Sequence, residues 1–332
     1  MPRLRTVSPR SRGCARRRAG SGWVFLDEHG NRITDADEVR RLEELAIPPA
    51  WQDVWICPWP NGHIQAVGTD AAGRRQYLYH PDWRVKRDRM KFDRVLRAAE
   101  HLPAARRQVS RHLRLEGMPR ERAGGLAVRL LDLGYFRIGS DAYTQTNGSV
   151  GLTTLDRTHV RKHRGTLVFE YVGKGGIEQS VVIDDPEAIE ALDVLRRRRG
   201  GSERLLAYQV SRRWRDLPGP AVNEYLGGLL DDLTAKDFRT WHATVLAAAA
   251  LAASEEPGDS KRSRQRAVKA AVQEVAEYLG NTPTIAKSSY IDPRVIDLYE
   301  SGSTIDPDVL TRHRSSARKQ RAVEEAVLEL LS

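Results

Sequence analysis

The sequence predicts an α+β chain, with a small antiparallel β-rich N-terminal domain followed by a larger, mainly helical one. Three observations carry this. Short β-prone runs broken by Pro, Gly and Asn fill residues 22–95. Apolar residues at helical spacing dominate residues 96–332. The length of 332 residues is ample for two hydrophobic cores. Residues 1–21 precede both domains as a basic tail expected to be disordered.

Within residues 22–95, Trp23 to Leu26 leads into the turn signal Glu28-His29-Gly30-Asn31, which predicts a hairpin. Val54-Trp55-Ile56 and His63 to Val67 are separated by Pro58, Pro60 and Asn61-Gly62, again turn chemistry. Gly73 to His80 alternates, with aromatics on one face. In the helical part, Thr166–Val172 and Ser180–Ile183 are β-prone runs flanking Gly173-Lys174-Gly175-Gly176, a hairpin with a lysine at or near its tip. Ser260 precedes a helix whose apolar positions are Val268, Ala271, Val272, Val275 and Leu279, and Gly280 is placed to end it. The stretch Ala322 to Leu331 is a last amphipathic helix.

A formal charge of +10 points to a polyanionic partner. Seven arginines and no acid lie in residues 1–20, so taking seven from ten leaves +3 for the rest, and the location of the charges decides. Arg84, Lys86, Arg87, Arg89, Lys91 and Arg94 form one cluster; Arg196 to Arg199 and Arg212, Arg213 and Arg215 form others, suited to phosphate contacts that carry no sequence preference. The longest strongly apolar run, Val245 to Ala253, is far short of the ~20 residues of a membrane span, and no apolar stretch follows the basic start as a secretory signal requires. Cys14 and Cys57 alone argue against a disulfide framework and suit a reducing compartment. His-Glu-x-x-His, Cys-x-x-Cys and the phosphate-loop pattern are absent, and Asp231-Asp232 reads as an exposed acidic turn rather than a metal pair. No cofactor is expected.

Four segments stand out together: Tyr135-Phe136-Arg137-Ile138-Gly139, Val172-Gly173-Lys174, Lys236-Asp237-Phe238-Arg239-Thr240, and Asn281-Thr282-Pro283 running on to Tyr290. In order and spacing they resemble the type IB topoisomerases, specifically the small bacterial and poxvirus-like branch. The resemblance covers nearly the whole chain after the basic tail, including Ile47-Pro48-Pro49-Ala50-Trp51 and the Gly73 to His80 segment.

The resemblance implies that the larger domain is a catalytic domain of the topoisomerase IB/tyrosine recombinase type, that the two domains form a C-shaped clamp on duplex DNA, and that supercoils relax without ATP or metal. Tyr290 would attack a backbone phosphorus and become joined to the 3′ end of the broken strand. Arg137 and Arg239 would hold the nonbridging oxygens, and Lys174 would donate a proton to the departing 5′ oxygen. Asn281 stands where many relatives, tyrosine recombinases included, have a histidine; an amide can donate the same hydrogen bond but no positive charge. Arg75, Gln76, Tyr77 and Tyr79, with Tyr143 on the helix after Arg137, would face the DNA. The expected protein is a cytoplasmic, chromosome-associated monomer with duplex DNA as partner, no membrane association and no obligate protein partner.

The chemistry agrees. A phosphodiester nearing a five-coordinate transition state gathers negative charge on its equatorial oxygens, which preorganised guanidiniums stabilise. Tyrosine, with an ordinary pKa of about 10, needs nearby positive charge to become nucleophilic. A 5′ alkoxide leaves poorly without an acid. Taken singly, each residue has a plainer explanation: a packing tyrosine, solvated arginines, a turn lysine. His242 reads as structural. Two other functions compete. A tyrosine site-specific recombinase shares the chemistry, but there the second arginine usually follows His-x-x-Arg, where this chain has Lys236-Asp237-Phe238-Arg239, and the N-terminal domain is generally helical. A non-catalytic DNA-binding protein would keep the fold without the complete set of four.

Overall fold

The computed structural model describes residues 3–332 apart from 142, 143, 145–147, 232, 255–259 and 314. Contacts divide the chain into two units, Met1–Lys91 and Phe92–Ser332.

The first unit is built on a three-stranded antiparallel sheet of β3 (Gln52–Ile56), β4 (Ile64–Thr69) and β5 (Arg75–Tyr79), with β4 central. Strand β4 is buried along most of its length, and Ile56 and Ala66 meet Cys14, Phe25, Leu42 and Ile47 in the core. The arginine-rich start departs from expectation. Rather than a disordered arm, Ala15–Ala19 forms β1, paired with β2 (Gly22–Leu26) across Gly20. Arg16 donates to the carbonyls of Ile47 (2.7 Å), Pro48 (2.5 Å) and Trp51 (3.1 Å), and its guanidinium lies 4.1 Å from the Trp23 ring centroid. Arg5 stacks on Trp59 at 3.7 Å. These arginines are spent on carbonyls and indoles, which composition alone cannot foresee.

The hairpin predicted around Glu28–Asn31 is also placed differently. The turn exists, with the Asp27 carboxylate accepting from the N–H groups of His29 and Asn31, but beyond it lies only a single bridge from Leu26 to Arg32. Strand β2 finds its partner on the N-terminal side instead. A short helix, α1 (Ala36–Glu44), went unforeseen: Asp35 caps it by accepting from Glu38 N, and Val39, Leu42 and Leu45 pack on the core at helical spacing, a short signal within a strand-rich stretch.

Helix α2 (Pro81–Glu100) spans the point where the units divide and begins well before residue 96. Its first half carries the basic cluster, and its buried residues, Phe92, Val95, Ala98 and Ala99, all lie in the second half. Apolar periodicity therefore starts late although the helix does not. The rest of the second unit comprises α3 (Leu102–Leu113), α4 (Arg120–Gly134), α5 (Pro186–Arg197), α6 (Gly219–Gly227), α7 (Ala235–Ala252), α8 (Lys261–Leu279), α9 (Pro283–Ser289), α10 (Pro293–Glu300) and α11 (Ser316–Leu331). Two small antiparallel sheets accompany them. One orders β6 (Val160–His163), β7 (Thr166–Val172) and β8 (Glu178–Ile183) with β7 in the middle; β7 and β8 are the predicted lysine hairpin and β6 is additional. The other pairs β9 (Ala207–Val210) with β10 (Arg213–Asp216) through Ser211-Arg212, both at positive φ.

Helices α4 and α7 form the centre of this unit, and both are buried almost throughout. A charged network ties four helices together: Arg106 of α3 binds Asp132 of α4 (2.7 Å) and Glu324 of α11 (2.6 Å), while His242 Nε2 of α7 lies 3.2 Å from Asp132. Burial works against the Asp132 carboxylate, but Arg106 more than offsets it and holds the group well below the usual carboxylate range. His242, 1% exposed, is thus a packing residue, as the sequence suggested.

At the end of α4 the chain turns sharply through Tyr135, at φ 54°, and the Phe136 ring folds back over Gly134. A β-carbon on Gly134 would lie 2.2 Å from Phe136 Cε2, and Phe136, wedged against Phe169 and Tyr171, has no room to yield. Gly134→Ala is expected to destabilise this unit by about 1–3 kcal/mol, the usual cost of overpacking, measured as a lowered midpoint of denaturant unfolding with unchanged slope.

Candidate active site

The site begins at the end of a helix. Helix α8 stops at Gly280, whose φ of 57° only glycine adopts without strain. Gly280 N–H donates to Glu277 O (3.1 Å) and Asn281 N–H to Ala276 O (2.8 Å), the paired bonds of a Schellman turn. Two of the carbonyls that follow, Leu279 and Gly280, have no partner within the helix. They accept from Arg239 Nη2 (2.6 Å) and Arg137 Nη2 (3.1 Å) respectively. The negative end of the α8 dipole therefore faces two guanidiniums.

Each arginine reaches this point along a rigid path. Arg239 sits early in α7, whose start is fixed by a capping box: Thr234 N and Oγ1 both donate to Asp237 Oδ2. Asp237 also binds Arg94 Nη2 at 2.9 Å. The second amino group of Arg239 donates to the carbonyl of Tyr135, turned towards it by the left-handed backbone there. Arg137 follows buried Phe136, and its loop is pinned by Leu152 N–H to Arg137 O (2.7 Å) and Thr153 N–H to Ile138 O (2.8 Å). Gly139 and Gly151 let these two backbones touch; a β-carbon on Gly151 would lie 2.6 Å from Gly139 Cα.

Asn281 accepts from Arg137 Nη2 through Oδ1 at 2.8 Å. Since the arginine can only donate, the amide orientation is chemically fixed. Its Nδ2 is buried and has no hydrogen-bond acceptor among the described residues. Tyr290 caps the far end of α9, and its ring lies 5.3 Å from Arg239 Cζ, a cation–π distance. Asp292 N–H donates to Thr244 Oγ1 at 3.1 Å, and Thr244 Oγ1 in turn donates to Thr240 O at 2.9 Å, so α7 holds the backbone just past the phenol. Lys174 is exposed in the β7–β8 turn, where Gly173 N–H donates to Ile177 O and Gly175 and Gly176 take positive φ.

Arg137, Lys174, Arg239 and Tyr290 line one open cleft of about 390 Å³, with Ser140, Ser149 and Lys236 on its walls. The sequence motifs therefore converge although they are spread over more than 150 residues, and Asn281 stands behind Arg137. Lys236 was not singled out from the sequence. Its signal was available: it precedes Arg239 by three positions on a helix and so shares its face.

The electrostatics suit an anion. Arg239 is only 4% exposed, and among the described residues neither guanidinium is paired with a carboxylate. Burial, and then repulsion from Arg137, pull Arg239 down to about 10, against the opposing pull of Tyr290. It remains charged at neutral pH. Burial pushes the nearby Tyr171 phenol up to about 12, with Arg239 and Arg137 opposing.

In the first unit, Arg75, Tyr77 and Tyr79 share one face of β5, and the two tyrosine rings stack with centroids 6.0 Å apart. Arg87 Cζ lies 5.2 Å from the Tyr79 ring. Gln76 points to the opposite face, where Nε2 donates to Asp70 Oδ2 at 2.9 Å. Tyr143 lies outside the described residues.

The profile of the family described as "Eukaryotic DNA topoisomerase I, catalytic core" matches residues 80–304, about two thirds of the chain. The chain belongs to the type IB DNA topoisomerases. Residues 22–70 match the family described as "Bacterial DNA topoisomerase IB, N-terminal domain". Among relatives, DNA topoisomerase 1B of Acanthamoeba polyphaga mimivirus is 25% identical over 317 residues, covering 91% of each chain. DNA topoisomerase 1B of Vaccinia virus (strain Copenhagen) is 22% identical over 295 residues, covering 86% of this chain and 90% of the relative. DNA topoisomerase 1 of Schizosaccharomyces pombe is 27% identical over 159 residues, 47% of this chain but 19% of the much longer relative. Membership in this family makes the protein an enzyme that acts on DNA, relaxing supercoils. The four motif segments fall inside residues 80–304.

A buried and a half-buried guanidinium, neither paired with a carboxylate among the described residues, predict an ion dependence. Sulfate should raise the unfolding midpoint of the wild-type chain more than chloride does at equal ionic strength. In an Arg137→Ala/Arg239→Ala variant that increment should fall to about half or less, since only the site-specific part of the binding is lost. Differential scanning fluorimetry of both proteins in both salts checks this.

Proposed function

We propose that this chain relaxes supercoiled duplex DNA through a transient covalent bond between Tyr290 and the 3′ phosphate of one strand, with no ATP or metal ion. The observation that carries this reading is a pair of guanidiniums, Arg137 and Arg239, sharing a cleft with a tyrosine and lacking a carboxylate partner among the described residues. A phosphodiester supplies the missing charge. Burial, and then the charge of Arg137, pull Arg239 down to about 10, and the same pair of charges would stabilise the equatorial oxygens of a five-coordinate phosphorus.

In this scheme Tyr290 Oη releases its proton to water and forms a bond to phosphorus as the bond to the 5′ oxygen breaks. Lys174 gives its proton to that oxygen. Arg137 and Arg239 each hold a nonbridging oxygen, and the unpartnered Nδ2 of Asn281 donates to one of them. One phosphoester replaces another, so the energy of the bond is kept and resealing needs no ATP. The guanidiniums carry the charge neutralisation a metal would otherwise supply. Between cleavage and resealing the free 5′ end swivels.

Arg75, Tyr77 and Tyr79 offer a basic, aromatic face suited to a phosphate backbone, with Gln76 and Tyr143 assigned to the interface by resemblance alone. We further propose that the protein works as a monomer on duplex DNA, with no obligate protein partner, in the cytoplasm and on the chromosome. Among the described residues, no helix is long and apolar enough to cross a membrane.

The decisive assay is relaxation of one supercoiled plasmid with a chelator present and ATP absent, followed by denaturing gels for the adduct. A ladder of topoisomers and a 3′-linked adduct are expected. Tyr290→Phe should lose the adduct while retaining DNA binding, and Arg137→Ala or Arg239→Ala should slow cleavage by about 10²–10³-fold. An undiminished adduct in Tyr290→Phe would remove the proposed nucleophile, and strictly paired, site-specific exchange would favour a recombinase.

A further inference from the structure

Gln179, on β8, belongs to none of the four motif segments, yet its side chain lies against Gly173 in one of them and against Gly280, the residue before another. It stands opposite Tyr171 in the β7–β8 ladder, near the base of the lysine turn. A β-carbon on Gly173, immediately before Lys174, would lie 3.0 Å from Gln179 Cγ. One on Gly280, immediately before Asn281, would lie 2.8 Å from Gln179 Nε2 and 3.1 Å from Oε1. The stem of Gln179 is thus against one glycine and its amide against the other. Gly280 is also the residue whose carbonyl accepts from Arg137.

The lysine turn needs such a dock. Lys174 is exposed, and Gly175 and Gly176 follow it at positive φ, so little in the turn fixes where its ammonium points. What limits the turn is its base, and there Gln179, its Nε2 donating to Glu178 O at 3.2 Å, fills the gap to Gly280 by packing. Asn281, Arg137 and Lys174 are thereby referred to one corner of the molecule. A misplacement of about 1 Å in a reacting group can cost about 10²-fold in rate, so a side chain that sets this distance has a large lever.

We propose that Gln179 is a positioning residue: it docks the lysine hairpin on the Gly280–Asn281 corner so that Lys174 and Arg137 address the same phosphate. This rests on the assignment of Lys174 as the donor to the 5′ oxygen. Loss of Gln179 should therefore impair proton donation to the leaving group more than stabilisation of the nonbridging oxygens.

The experiment compares two oligonucleotide duplexes, one ordinary and one carrying sulfur in place of the bridging 5′ oxygen at the cleavage site. A thiolate leaves without a proton, so chemistry that lacks only the acid is restored on the second duplex. Single-turnover cleavage is measured for wild type, Gln179→Ala, Lys174→Ala and the double variant. Gln179→Ala should be slower by about 10–100-fold on the oxygen substrate and near wild type on the sulfur substrate, with Lys174→Ala slower still on oxygen and equally restored. The double variant should be no slower than Lys174→Ala. If Lys174→Ala stays slow on both substrates, the lysine assignment itself fails. If Lys174→Ala is restored by sulfur while Gln179→Ala is equally slow on both, or unchanged on both, the docking role of Gln179 is overturned and the lysine assignment stands.

Discussion

Two guanidiniums bound to the two carbonyls that end helix α8 set the geometry of everything around them. Like charges repel, and the depression of Arg239 to about 10 records its lost hydration first and then the repulsion from Arg137. A carboxylate would relieve it more strongly than a carbonyl, but it would also occupy the site and compete with a phosphate. Carbonyl oxygens at a helix C-terminus orient the guanidiniums and offset part of their charge while leaving the outer edges free for an anion. The Schellman turn at Gly280 makes this possible, because it satisfies the carbonyls of Ala276 and Glu277 inside the helix and leaves Leu279 and Gly280 to the arginines.

A strained cluster of this kind survives only where its supports are stiff. Tyr135 supplies the third carbonyl, and its left-handed turn is fixed by Phe136 over Gly134 and by ring contacts at 4.6 Å to both His242 and Tyr278. Behind it, Arg106, Asp132, Glu324 and His242 lock α3, α4, α7 and α11 together. A buried network of charges contributes little net stability but tolerates few alternative packings, because removal of one member leaves another uncompensated. The C-terminal helix thus braces the site through Glu324 without reaching it.

Much of this was legible in the sequence, and the limits have physical causes. The hairpin carrying Lys174 and the helix from Ser260 to Gly280 were visible because β-prone runs, an N-cap serine and a C-terminal glycine are local signals. So was the set Arg137, Lys174, Arg239, Asn281 and Tyr290, through the order and spacing of its motifs. What could not be read is what holds the set: the grips on Arg137 and Arg239 are largely backbone carbonyls, which every residue has. The arginines of residues 1–20 misled for the same reason, since Arg16 closes on the carbonyls of Ile47, Pro48 and Trp51 in the Ile-Pro-Pro-Ala-Trp segment. Charge composition counts guanidiniums but cannot say whether a carbonyl or a phosphate receives them. Helix α1 escaped because its apolar stripe is only Val39, Leu42 and Leu45 within a strand-rich stretch, and the first half of α2 because its solvated turns have no apolar period.

The amide at position 281 has a physical rationale. A protonated histidine there would place a third cation beside two guanidiniums that already repel each other, and it could accept nothing from Arg137. Asn281 instead acts at both ends of its amide. Its Oδ1 accepts from Arg137 and steadies it, and its Nδ2 is left buried with no acceptor among the described residues. The proposed loss of one positive charge at the phosphate is therefore offset by better orientation of another. An unmade hydrogen bond from a buried amide costs about 1–3 kcal/mol. In the proposed reaction, a nonbridging phosphate oxygen that met Nδ2 would relieve this cost and be bound more tightly for it, most of all in the transition state, where its charge is greatest.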